Sequence, residues 1–389
     1  MIQDVRGQLV RGIEGLSQVD QQVVAAVVGG ILLLVAGGLV YRWLKRPAGK
    51  RFAAVLAEHE EVAVLLHPNP DADAMASALG VARMAETVDT EAALQFPGQI
   101  RRQENRAFRT VLDVEMEKLE HVSEIESEAV VLVDHNEPRG FTGADGVLPA
   151  CVIDHHPGGG AGQEFTDVRT EYGACSSILT EYLRAAGATP VPPDRHDSEV
   201  DGEALPTRTA TGLLYGILSD TNRLTRGASP ADFEAASFLH PGVDEDLLTR
   251  IADPEVSTET LEVKARAIAG REVRGSFAVS DVGAVSNVDA IPQAADELVG
   301  LEGVTAVVVL GERDGTVHMS GRSRDDRVHM GRTLAAAVGD LANASAGGHA
   351  RMGGGQIPPA VQADGTREVS SPRGDALLDR LFDSMSGDV

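Results

Sequence analysis

The chain has 389 residues, of which 43% are hydrophobic, which is enough to form two globular domains. Its net charge of −25 excludes the broad basic face with which a duplex-binding protein displaces counterions, so we expect no binding to duplex DNA. An anionic ligand would be small and held locally by metal ions and a few arginines.

The negative charge is concentrated after the first 50 residues. Those 50 residues carry six basic and three acidic side chains, so the rest of the chain has a net charge of −28. Only four residues are lysine: Lys45, Lys50, Lys118 and Lys264. Because concentrated salt screens self-repulsion, this composition predicts a protein adapted to molar salt, as in haloarchaea. The alternative, an ordinary acidic cytosolic protein, leaves the scarcity of lysine unexplained.

Residues 23–41 form an uncharged run, VVAAVVGGILLLVAGGLVY. A helix of this length extends about 28 Å, close to the thickness of a bilayer core. Basic residues follow at once (Arg42, Lys45, Arg46), which a buried core helix or a signal peptide would not require. The run predicts one transmembrane helix after a short extracytoplasmic tail, residues 1–22. The basic excess after it predicts a single-pass protein of the cell membrane with cytoplasmic catalytic domains.

From residue 51 onward, helical patterns alternate with short apolar runs, which predicts a mainly parallel α/β sheet over residues 51–243. The predicted elements are helix 52–60, strand 62–66, helix 74–86, strands 92–96, 130–133 and 151–153, and helices 174–186, 208–218 and 230–239. Residues 189–207 are rich in Pro, Asp and Glu and are predicted to be a solvated loop.

A second, smaller α/β unit is predicted for residues 274–389, after a helical connection over residues 244–273. Its predicted elements are strands 277–282, 305–310 and 316–320, helices 290–299 and 328–341, and a last amphipathic helix at 375–385. Residues 347–355 are predicted to be a glycine-rich loop.

Three predicted strands of the first domain end in clusters of Asp and His. They lead into His67-Pro68-Asn69-Pro70-Asp71-Ala72-Asp73, Asp134-His135-Asn136 and Asp154-His155-His156. In open parallel sheets, sites lie at the carboxyl ends of the strands. The sequence therefore predicts that the three clusters meet at one edge of the sheet.

Carboxylates gathered at one edge repel each other, and a pair of divalent cations resolves that repulsion. Ligands that mix carboxylate with imidazole and lack cysteine favour Mn²⁺, with Mg²⁺, Fe²⁺ or Co²⁺ as alternatives. Two such ions lower the pKa of a bridging water and stabilise the charge that builds up on a phosphoryl group. Each cluster taken singly has a plainer interpretation, since HxxxDxD is also typical of a solvated turn or a helix cap.

The motifs resemble those of the DHH phosphoesterase superfamily, over essentially all of residues 60–360. HPNPDADAMAS is similar to the first family motif, VLVDHN to the second, VIDHHP to the third, and LLYGILSDTNRLT, centred on Asp220, to the fourth. The four motifs occur in the family's order. Ala72 replaces the glycine that usually follows the first Asp, and Ala76 is another small substitution; neither position is a ligand.

The resemblance implies a ligand set for two divalent metal ions. One ion would be held by His67, Asp71 and Asp134, and the other by Asp73, Asp134, His155 and Asp220, with Asp134 as the bridge. His156 would face the phosphate, Asp154 would orient the neighbouring histidines, and His135 would lie beside the site without binding metal. The expected catalytic residues are thus Asp134, Asp154 and His156.

The second unit carries a motif that narrows the subclass. Gly347-Gly348-His349 resembles the GGH loop of the DHH-associated domain in RecJ-like exonucleases, nanoRNase/pAp phosphatases and cyclic-di-AMP phosphodiesterases. Successive glycine N–H groups form an anion-binding nest, to which His349 adds a donor. Arg322 matches a family arginine expected to bind phosphate. A glycine run by itself is usually only a turn.

Together these features predict a hydrolase in which a metal-bridged hydroxide attacks a short nucleotide substrate. The expected substrates are oligoribonucleotides or other single-stranded oligonucleotides, cyclic-di-AMP or its linear product pApA, or pAp. The alternatives are a membrane-bound nucleotide sensor and a pyrophosphatase-like DHH enzyme. Related enzymes are often dimeric, so the resemblance is also compatible with a homodimer.

Overall fold

The computed structural model describes residues 28–31, 46–200, 202–325, 327–359 and 375–387. The chain divides into two compact units, Met1–Pro254 and Glu255–Val389. Each unit contains a six-stranded sheet with helices packed against it, which agrees with the predicted α/β class.

The first unit contains a six-stranded sheet in which all strands are parallel, in the order β3-β2-β1-β4-β5-β6. Its strands are β1 (Glu61–Leu65), β2 (Glu91–Pro97), β3 (Glu117–Leu119), β4 (Ala129–Val133), β5 (Cys151–Asp154) and β6 (Phe165–Val168). Two short strands, β7 (Ala188–Pro190) and β8 (Glu203–Leu205), pair separately and in parallel. Since the strand order reverses between β1 and β4, their carboxyl ends form the crevice in which open α/β sheets bind ligands.

Seven α-helices of this unit are described between residues 46 and 254. They are α1 (Ala48–Leu56), α2 (Ala72–Glu86), α3 (Gln103–Val111), α4 (Cys175–Ala186), α5 (Thr207–Asp220), α6 (Pro230–Leu239) and α7 (Glu245–Ala252). Local chemistry sets their ends. Helix α4 stops at Gly187, whose φ of 98° suits glycine, and α6 starts with a capping box between Ser229 and Asp232.

The two faces of the first sheet bury separate cores. Val62 and Val64 of β1 face the main core, to which all seven helices contribute side chains. Ala63 and Leu65 face a smaller core on the other side, where loop residues such as Phe141 pack. This alternation follows from the two-residue period of a strand. Because both faces are apolar, the polar residues of β1, β4 and β5 gather where these strands end.

The second unit has a mixed sheet in the order β13-β14-β12-β11-β10-β9, in which β10 and β11 are parallel and the other pairs antiparallel. The strands are β9 (Glu272–Arg274), β10 (Phe277–Ala284), β11 (Ala306–Arg313), β12 (Thr316–Ser323), β13 (Ser345–Gly348) and β14 (Met352–Ile357). The helices are α8 (Thr258–Ala269), α9 (Ala290–Leu298), α10 (Met330–Val338) and α11 (Asp375–Ser386). Helices α8 and α9 pack on one face, and α10 and α11 on the other.

Two predicted loops were wrong, because both contain strands. Residues 189–207 contribute to the β7–β8 pair. The glycines of residues 347–355 lie in the hairpin of β13 and β14, where Gly347 pairs with Gly354 and Gly348 with Gly353. Glycine is disfavoured in strands, but β14 also pairs with β12 over six residues, and this tertiary pairing outweighs local preference.

Besides β7 and β8, three elements of the first unit were missed by the pattern analysis: α3, β3 and β6. In α3 only Asn105 and Phe108 are buried, so the helix has too narrow an apolar stripe to be recognised. The strands β3 and β6 have three and four residues, with a single buried residue each.

The predicted transmembrane helix, residues 23–41, lies outside the described residues except for 28–31, which are helical. Among the residues that the structure describes, no helix combines the length and the apolar character needed to cross a bilayer.

Candidate metal centre

The candidate site begins at three neighbouring strand ends. Strand β4 lies between β1 and β5 in the sheet. His67 follows the end of β1 by two residues, Asp134 follows β4 directly, and Asp154 is the last residue of β5. The predicted clusters therefore lie side by side, at the point where the strand order reverses.

The start of α2 contributes two carboxylates to this edge. Asp71 caps the helix, because its Oδ1 accepts a hydrogen bond from the N–H of Ala74 at 3.2 Å. Asp73 lies in the first turn and is completely buried. Its two oxygens accept the N–H groups of Cys175 and Ser176, at 2.7 and 2.9 Å. Since those amides form the N-terminus of α4, the helix dipole also stabilises the carboxylate of Asp73.

Asp134 occupies the centre of the site. Its φ of 61° is left-handed, a conformation that costs energy for a residue with a side chain and that Asp tolerates better than most. Its carboxylate is buried. Oδ2 lies 3.5 Å from Nε2 of His67, and Oδ1 lies 3.2 Å from Nε2 of His155. Asp134 thus reaches histidines that come from two different strand ends.

The three residues of the Asp154-His155-His156 triplet make different contacts. Asp154 is buried and its carboxylate accepts hydrogen bonds from the side chain of Asn136 at 2.7 Å and from Nδ1 of His156 at 3.0 Å. It also accepts the N–H groups of both histidines. His155 donates from Nδ1 to the carbonyl oxygen of Tyr172 at 3.2 Å, which directs its Nε2 toward Asp134. Asp154 therefore orients the histidines.

Asp220 enters from the end of α5. It is the last residue of that helix, and its Oδ2 lies 3.6 Å from Nε2 of His155. The chain then turns through Asn222, Arg223 and Leu224, three consecutive residues with positive φ. The pattern alone favoured a helix ending at Leu218, and a helix-end residue on a distant element carries no local signal for metal binding. Only the family resemblance nominated Asp220.

The site contains three groups of side chains whose ligand atoms lie within 4.8 Å of one another. The groups are His67 with Asp71 and Asp134, Asp73 with His155 and Asp220, and Asp134 with His155 and His156. The first two groups correspond to the two predicted ligand sets, apart from the sharing of Asp134. The 3.2 Å contact with His155 brings Asp134 next to the second set as well.

Two atoms of the site show that its residues fit metal ions. Oδ1 of Asp134 and Nε2 of His155 are buried, yet neither has a partner in hydrogen-bonding geometry among the described residues. Buried polar atoms left without a partner cost free energy, and a cation between them would remove that cost. The donors are carboxylate and imidazole, the mixture that Mn²⁺ and related ions accept.

The electrostatics agree with a site for cations. Burial and the charge of Asp134 raise the pKa of Asp73, and burial and the charge of Asp73 raise the pKa of Asp220. Burial opposes protonation of His67, yet the carboxylates of Asp134 and Asp71 raise its pKa to about 10. Without metal, protons therefore take the place of the missing positive charge, and a bound cation would displace them.

His135 and His156 differ in environment although both lie at this edge. His135 is buried, donates from Nδ1 to the carbonyl of Val133 at 2.9 Å, and has its pKa lowered to about 4 by burial. It belongs to none of the three groups. The side chain of His156 is 52% exposed, and its hydrogen bond to Asp154 raises its pKa. His156 is thus the more accessible of the two.

In the second unit the predicted substrate-binding residues lie on the β12–β14 part of the sheet. Arg322, on β12, bonds Asp296 of α9, with Nε 2.5 Å from its Oδ1. Gly347 and Gly348 belong to β13 and His349 follows them in the turn. The predicted glycine loop is therefore a strand followed by a turn in this structure, and phosphate binding by these residues stays a prediction.

Sequence reasoning missed two residues that support the site. Asn136 donates to Asp154, and its place in VLVDHN after a strand end could have suggested a polar role. Tyr172 acts through its backbone carbonyl, for which a side-chain pattern offers no signal.

Two family models match the chain. The N-terminal domain of the DHH family matches residues 61–217, and the DHHA1 domain matches residues 274–370. The first span contains the three strand ends, and the second contains the glycine hairpin.

The chain belongs to the DHH superfamily. Its DHH domain carries the candidate metal centre, although Asp220 lies three residues beyond the matched span. The membership that the four motifs suggested is confirmed, while the fourth motif, centred on Asp220, extends beyond the matched span.

Two curated relatives are similar to this chain over most of its length. An uncharacterized protein of Methanocaldococcus jannaschii is 34% identical over 323 residues, which cover 80% of this chain and 62% of that protein. The cyclic-di-AMP phosphodiesterase GdpP of Geobacillus thermodenitrificans is 28% identical over 316 residues, which cover 75% of this chain and 45% of GdpP. The chain thus spans about half of the length of the curated relatives it matches.

One solved structure shares the fold of this DHH protein. It is an exopolyphosphatase-related protein from Bacteroides fragilis, which superposes with a TM-score of 0.57 and covers 87% of this chain and 96% of its own. At 14% sequence identity the likeness concerns the fold alone.

Proposed function

We propose that this chain is a phosphoesterase that hydrolyses short nucleotides and uses two divalent metal ions, with Mn²⁺ preferred. The observation that carries the proposal is the arrangement of ligand groups around Asp134. His67 and Asp71 lie on one side, and His155, Asp73 and Asp220 on the other. The DHH domain and the relative GdpP, a cyclic-di-AMP phosphodiesterase, support the same reaction class.

In this proposal the first ion would be held by His67, Asp71 and Asp134, and the second by Asp73, Asp134, His155 and Asp220. When bound, such a pair supplies Lewis-acid stabilisation of a phosphoryl group and lowers the pKa of a water between the ions. The unpartnered Oδ1 of Asp134 and Nε2 of His155 are the atoms that a cation would satisfy first.

The remaining residues of the triplet position the substrate. Asp154 fixes the ring of His156 through Nδ1, at 3.0 Å, and leaves Nε2 available. Because His156 is half exposed and tends to keep its proton, it can donate a hydrogen bond to a phosphoryl oxygen as negative charge increases there. The side chain of Asp134 is buried, and the low dielectric constant of its surroundings strengthens each of its electrostatic contacts.

The proposed substrates are oligoribonucleotides, cyclic-di-AMP or pApA, or pAp. A net charge of −28 after residue 50 repels a long polyanion, whereas a short one needs only local cations. We assign phosphate binding in the DHHA1 domain to Arg322 and to the hairpin of Gly347, Gly348 and His349. Arg322 would exchange its exposed partner Asp296 for a phosphate, since both accept its guanidinium in a bidentate manner.

The proposal is tested with the purified full chain in molar KCl with Mn²⁺, on a panel of pApA, cyclic-di-AMP, pAp and inorganic pyrophosphate. We expect hydrolysis of at least one nucleotide. Turnover of pyrophosphate alone would replace the proposal with a pyrophosphatase-like activity, and tight nucleotide binding without turnover would replace it with a sensor.

We also propose that residues 23–41 tether the enzyme to the cell membrane with its catalytic domains in the cytoplasm. The support is the sequence alone: an apolar run of bilayer length followed by Arg42, Lys45 and Arg46. Deletion of residues 1–45 should move the protein from the membrane fraction to the supernatant in molar salt. Retention of the truncated chain in the membrane fraction would contradict the tether.

A further inference from the structure

Asp232 is a buried carboxylate outside the candidate metal centre. It lies in the first turn of α6 and is completely buried. Within the described residues its carboxylate accepts four hydrogen bonds: from the N–H and the hydroxyl of Ser229, at 2.6 and 2.7 Å, from the hydroxyl of Ser177 at 2.6 Å, and from the N–H of Gly173 at 2.9 Å. A capping box needs only the contacts with Ser229, so the other two bonds serve something besides the start of α6.

The bond to Gly173 continues to a candidate metal ligand. The N–H of Gly173 and the carbonyl of Tyr172 belong to one peptide group, which is planar and rigid. That carbonyl accepts Nδ1 of His155 at 3.2 Å, and Nε2 of His155 lies 3.2 Å from Oδ1 of Asp134. A single chain of contacts therefore runs from Asp232 through this peptide group and the imidazole to the centre of the site.

The bond to Ser177 leads toward a second candidate ligand. Ser177 lies in the first turn of α4, and the N–H groups of that turn bind the carboxylate of Asp73. Asp232 therefore holds the segment 172–177 at two points, through Gly173 and through Ser177. The same segment contacts two of the residues proposed to bind the second ion.

The packing around Gly173 leaves its peptide group little freedom. A Cβ added at Gly173 would lie 2.7 Å from Cγ2 of Thr221 and 2.8 Å from Oδ2 of Asp232. Thr221 follows Asp220, a third residue proposed for the second ion, directly in the chain. The peptide group at Gly173 is thus enclosed between the neighbour of Asp220 and the carboxylate of Asp232.

The charge of Asp232 strengthens the contact with His155. Hydrogen bonds in a chain polarise one another, so a carboxylate that accepts the N–H of a peptide group makes the carbonyl of the same group a stronger acceptor. The carbonyl of Tyr172 in turn keeps the proton of His155 on Nδ1. Nε2 is then the ring atom available to a metal ion, as is usual for histidine ligands that are oriented by a hydrogen bond to the other nitrogen.

We propose that Asp232 is a positioning residue for the second metal ion. It would touch neither metal nor substrate, and it would act through the Tyr172–Gly173 peptide group on His155 and through the first turn of α4 on Asp73. The proposal rests on the proposed function, because that function supplies the metal pair.

The position of Asp232 predicts an effect on one ion only. Among the described residues, the side chains of His67 and Asp71, proposed for the first ion, make no hydrogen bond to the segment 172–177. A general loss of structure would instead weaken the binding of both ions.

Calorimetric titration of the full chain with Mn²⁺ in molar KCl tests the proposal. Asp232→Asn removes the charge but keeps the size of the side chain, an oxygen that can accept from Gly173 and a group that can contact Ser177. Asp232→Ala removes all four hydrogen bonds. Ser229→Ala is the matched control, because it weakens the same helix cap and leaves the bonds to Gly173 and Ser177 in place.

We expect one of the two Mn²⁺ binding events to weaken about tenfold in Asp232→Asn and about 100-fold in Asp232→Ala, while the other changes by less than about twofold. Ser229→Ala should lower the urea midpoint of unfolding, as the loss of a cap does, and leave both affinities unchanged. Equal weakening of both events, or no difference between Asp232→Asn and Ser229→Ala, would overturn the proposal. If Asp232→Ala does not fold, Asp232→Asn alone decides.

Failure of the proposed function is observed separately. If the wild type binds Mn²⁺ but hydrolyses no nucleotide, the function fails and the titration still decides on Asp232. If the wild type binds no Mn²⁺, NMR of the metal-free chain with ¹⁵N-labelled histidine decides, with the Nδ1 proton of His155 identified by its absence from His155→Gln. Exchange of this proton with water should be about tenfold faster in Asp232→Asn and unchanged in Ser229→Ala. An unchanged rate in Asp232→Asn would rule out the positioning role.

Discussion

The carboxyl edge of the first sheet and the glycine hairpin of the second sheet carry polar chemistry in opposite ways. At the first edge, Asp73, Asp134 and Asp154 are buried, and the carboxylates of Asp73 and Asp154 accept hydrogen bonds from neighbouring elements. In the hairpin, Gly347, Gly348 and His349 are exposed, and two of the three have no side chain at all. The first edge can be inferred from residue types, whereas the second depends on the path of the backbone.

The difference shows that a motif made of side-chain donors predicts a binding site more directly than a motif made of glycines. A candidate side-chain ligand such as His67 carries its donor atom wherever the fold places it. A backbone amide serves an anion only in the right conformation, and the β14–β12 pairing places the hairpin glycines in extended strands. The following predictions test this contrast, starting with the largest expected effect.

Asp134→Ala should abolish activity, with a loss of at least about 1,000-fold in kcat/KM, because it removes the carboxylate that lies next to both ligand groups. Calorimetry with Mn²⁺ should show the loss of both binding events. Asp145→Ala, an exposed carboxylate in the following turn, is the control and should behave like the wild type. Retention of either activity or two-site Mn²⁺ binding would count against Asp134 as the bridge.

Asp154→Asn should weaken Mn²⁺ binding about 10- to 100-fold, the usual effect of removing a residue that orients metal ligands. Asn keeps the size of the side chain but loses the charge that accepts the N–H groups of His155 and His156. Mn²⁺ titration of the variant and of Asp145→Asn would measure the effect. An unchanged affinity would show that the histidines hold their orientation without Asp154.

Without metal, the free energy of unfolding of the protein should decrease as the pH rises. The metal-free folded state binds extra protons at Asp73, Asp220, His67 and His155, whose pKa values are all raised. Stability of the chelated protein should therefore fall as pH rises from about 4, the usual carboxylate pKa, to about 10, the pKa of His67. Asp134, whose pKa is lowered by His155 and His67 in spite of burial, loses its contribution only in acid.

The measurement is the melting temperature with and without Mn²⁺ across this range. The rise in melting temperature on adding Mn²⁺ should be larger at pH 9 than at pH 6. Mn²⁺ at 100 times its Kd adds about 2.7 kcal/mol to the free energy of unfolding. A rise in melting temperature that is independent of pH would show that the four groups do not lose protons when Mn²⁺ binds.

The smallest effects should come from the hairpin and should separate backbone packing from substrate contact. An added Cβ at Gly347 would meet no described atom within 4 Å, so Gly347→Ala should change the free energy of unfolding by less than about 0.5 kcal/mol. At Gly355 the Cβ would lie 2.7 Å from Cβ of Ala346, so Gly355→Ala should cost about 1–3 kcal/mol. Chemical denaturation measures both.

If substrate approaches the bare backbone of Gly347, Gly347→Ala should also raise the KM for pApA by several-fold without affecting the unfolding curve, because a methyl group would stand in the way. An unchanged KM would remove Gly347 from the substrate-binding residues and leave His349 and Arg322 as candidates.

Much of the first domain could be predicted from the sequence, because a strand that is buried on both faces appears in it as a continuous run of apolar residues. The runs that became β1, β4 and β5 are continuously apolar and end in Asp or His, so both their class and their polar ends were readable. Helix α3 and strand β6 bury too few side chains to produce a recognisable apolar pattern.

By itself the sequence determined the family, the chemistry of the candidate ligand atoms and the sheet edge at which they gather, since these depend on residue types and strand ends. The tertiary structure decided which clusters are neighbours and placed Asp134 between two histidines. It brought Asp220 from a helix end 86 residues after Asp134, and it converted a glycine loop into paired strands. These outcomes depend on contacts between residues far apart in the chain, for which local periodicity contains no information.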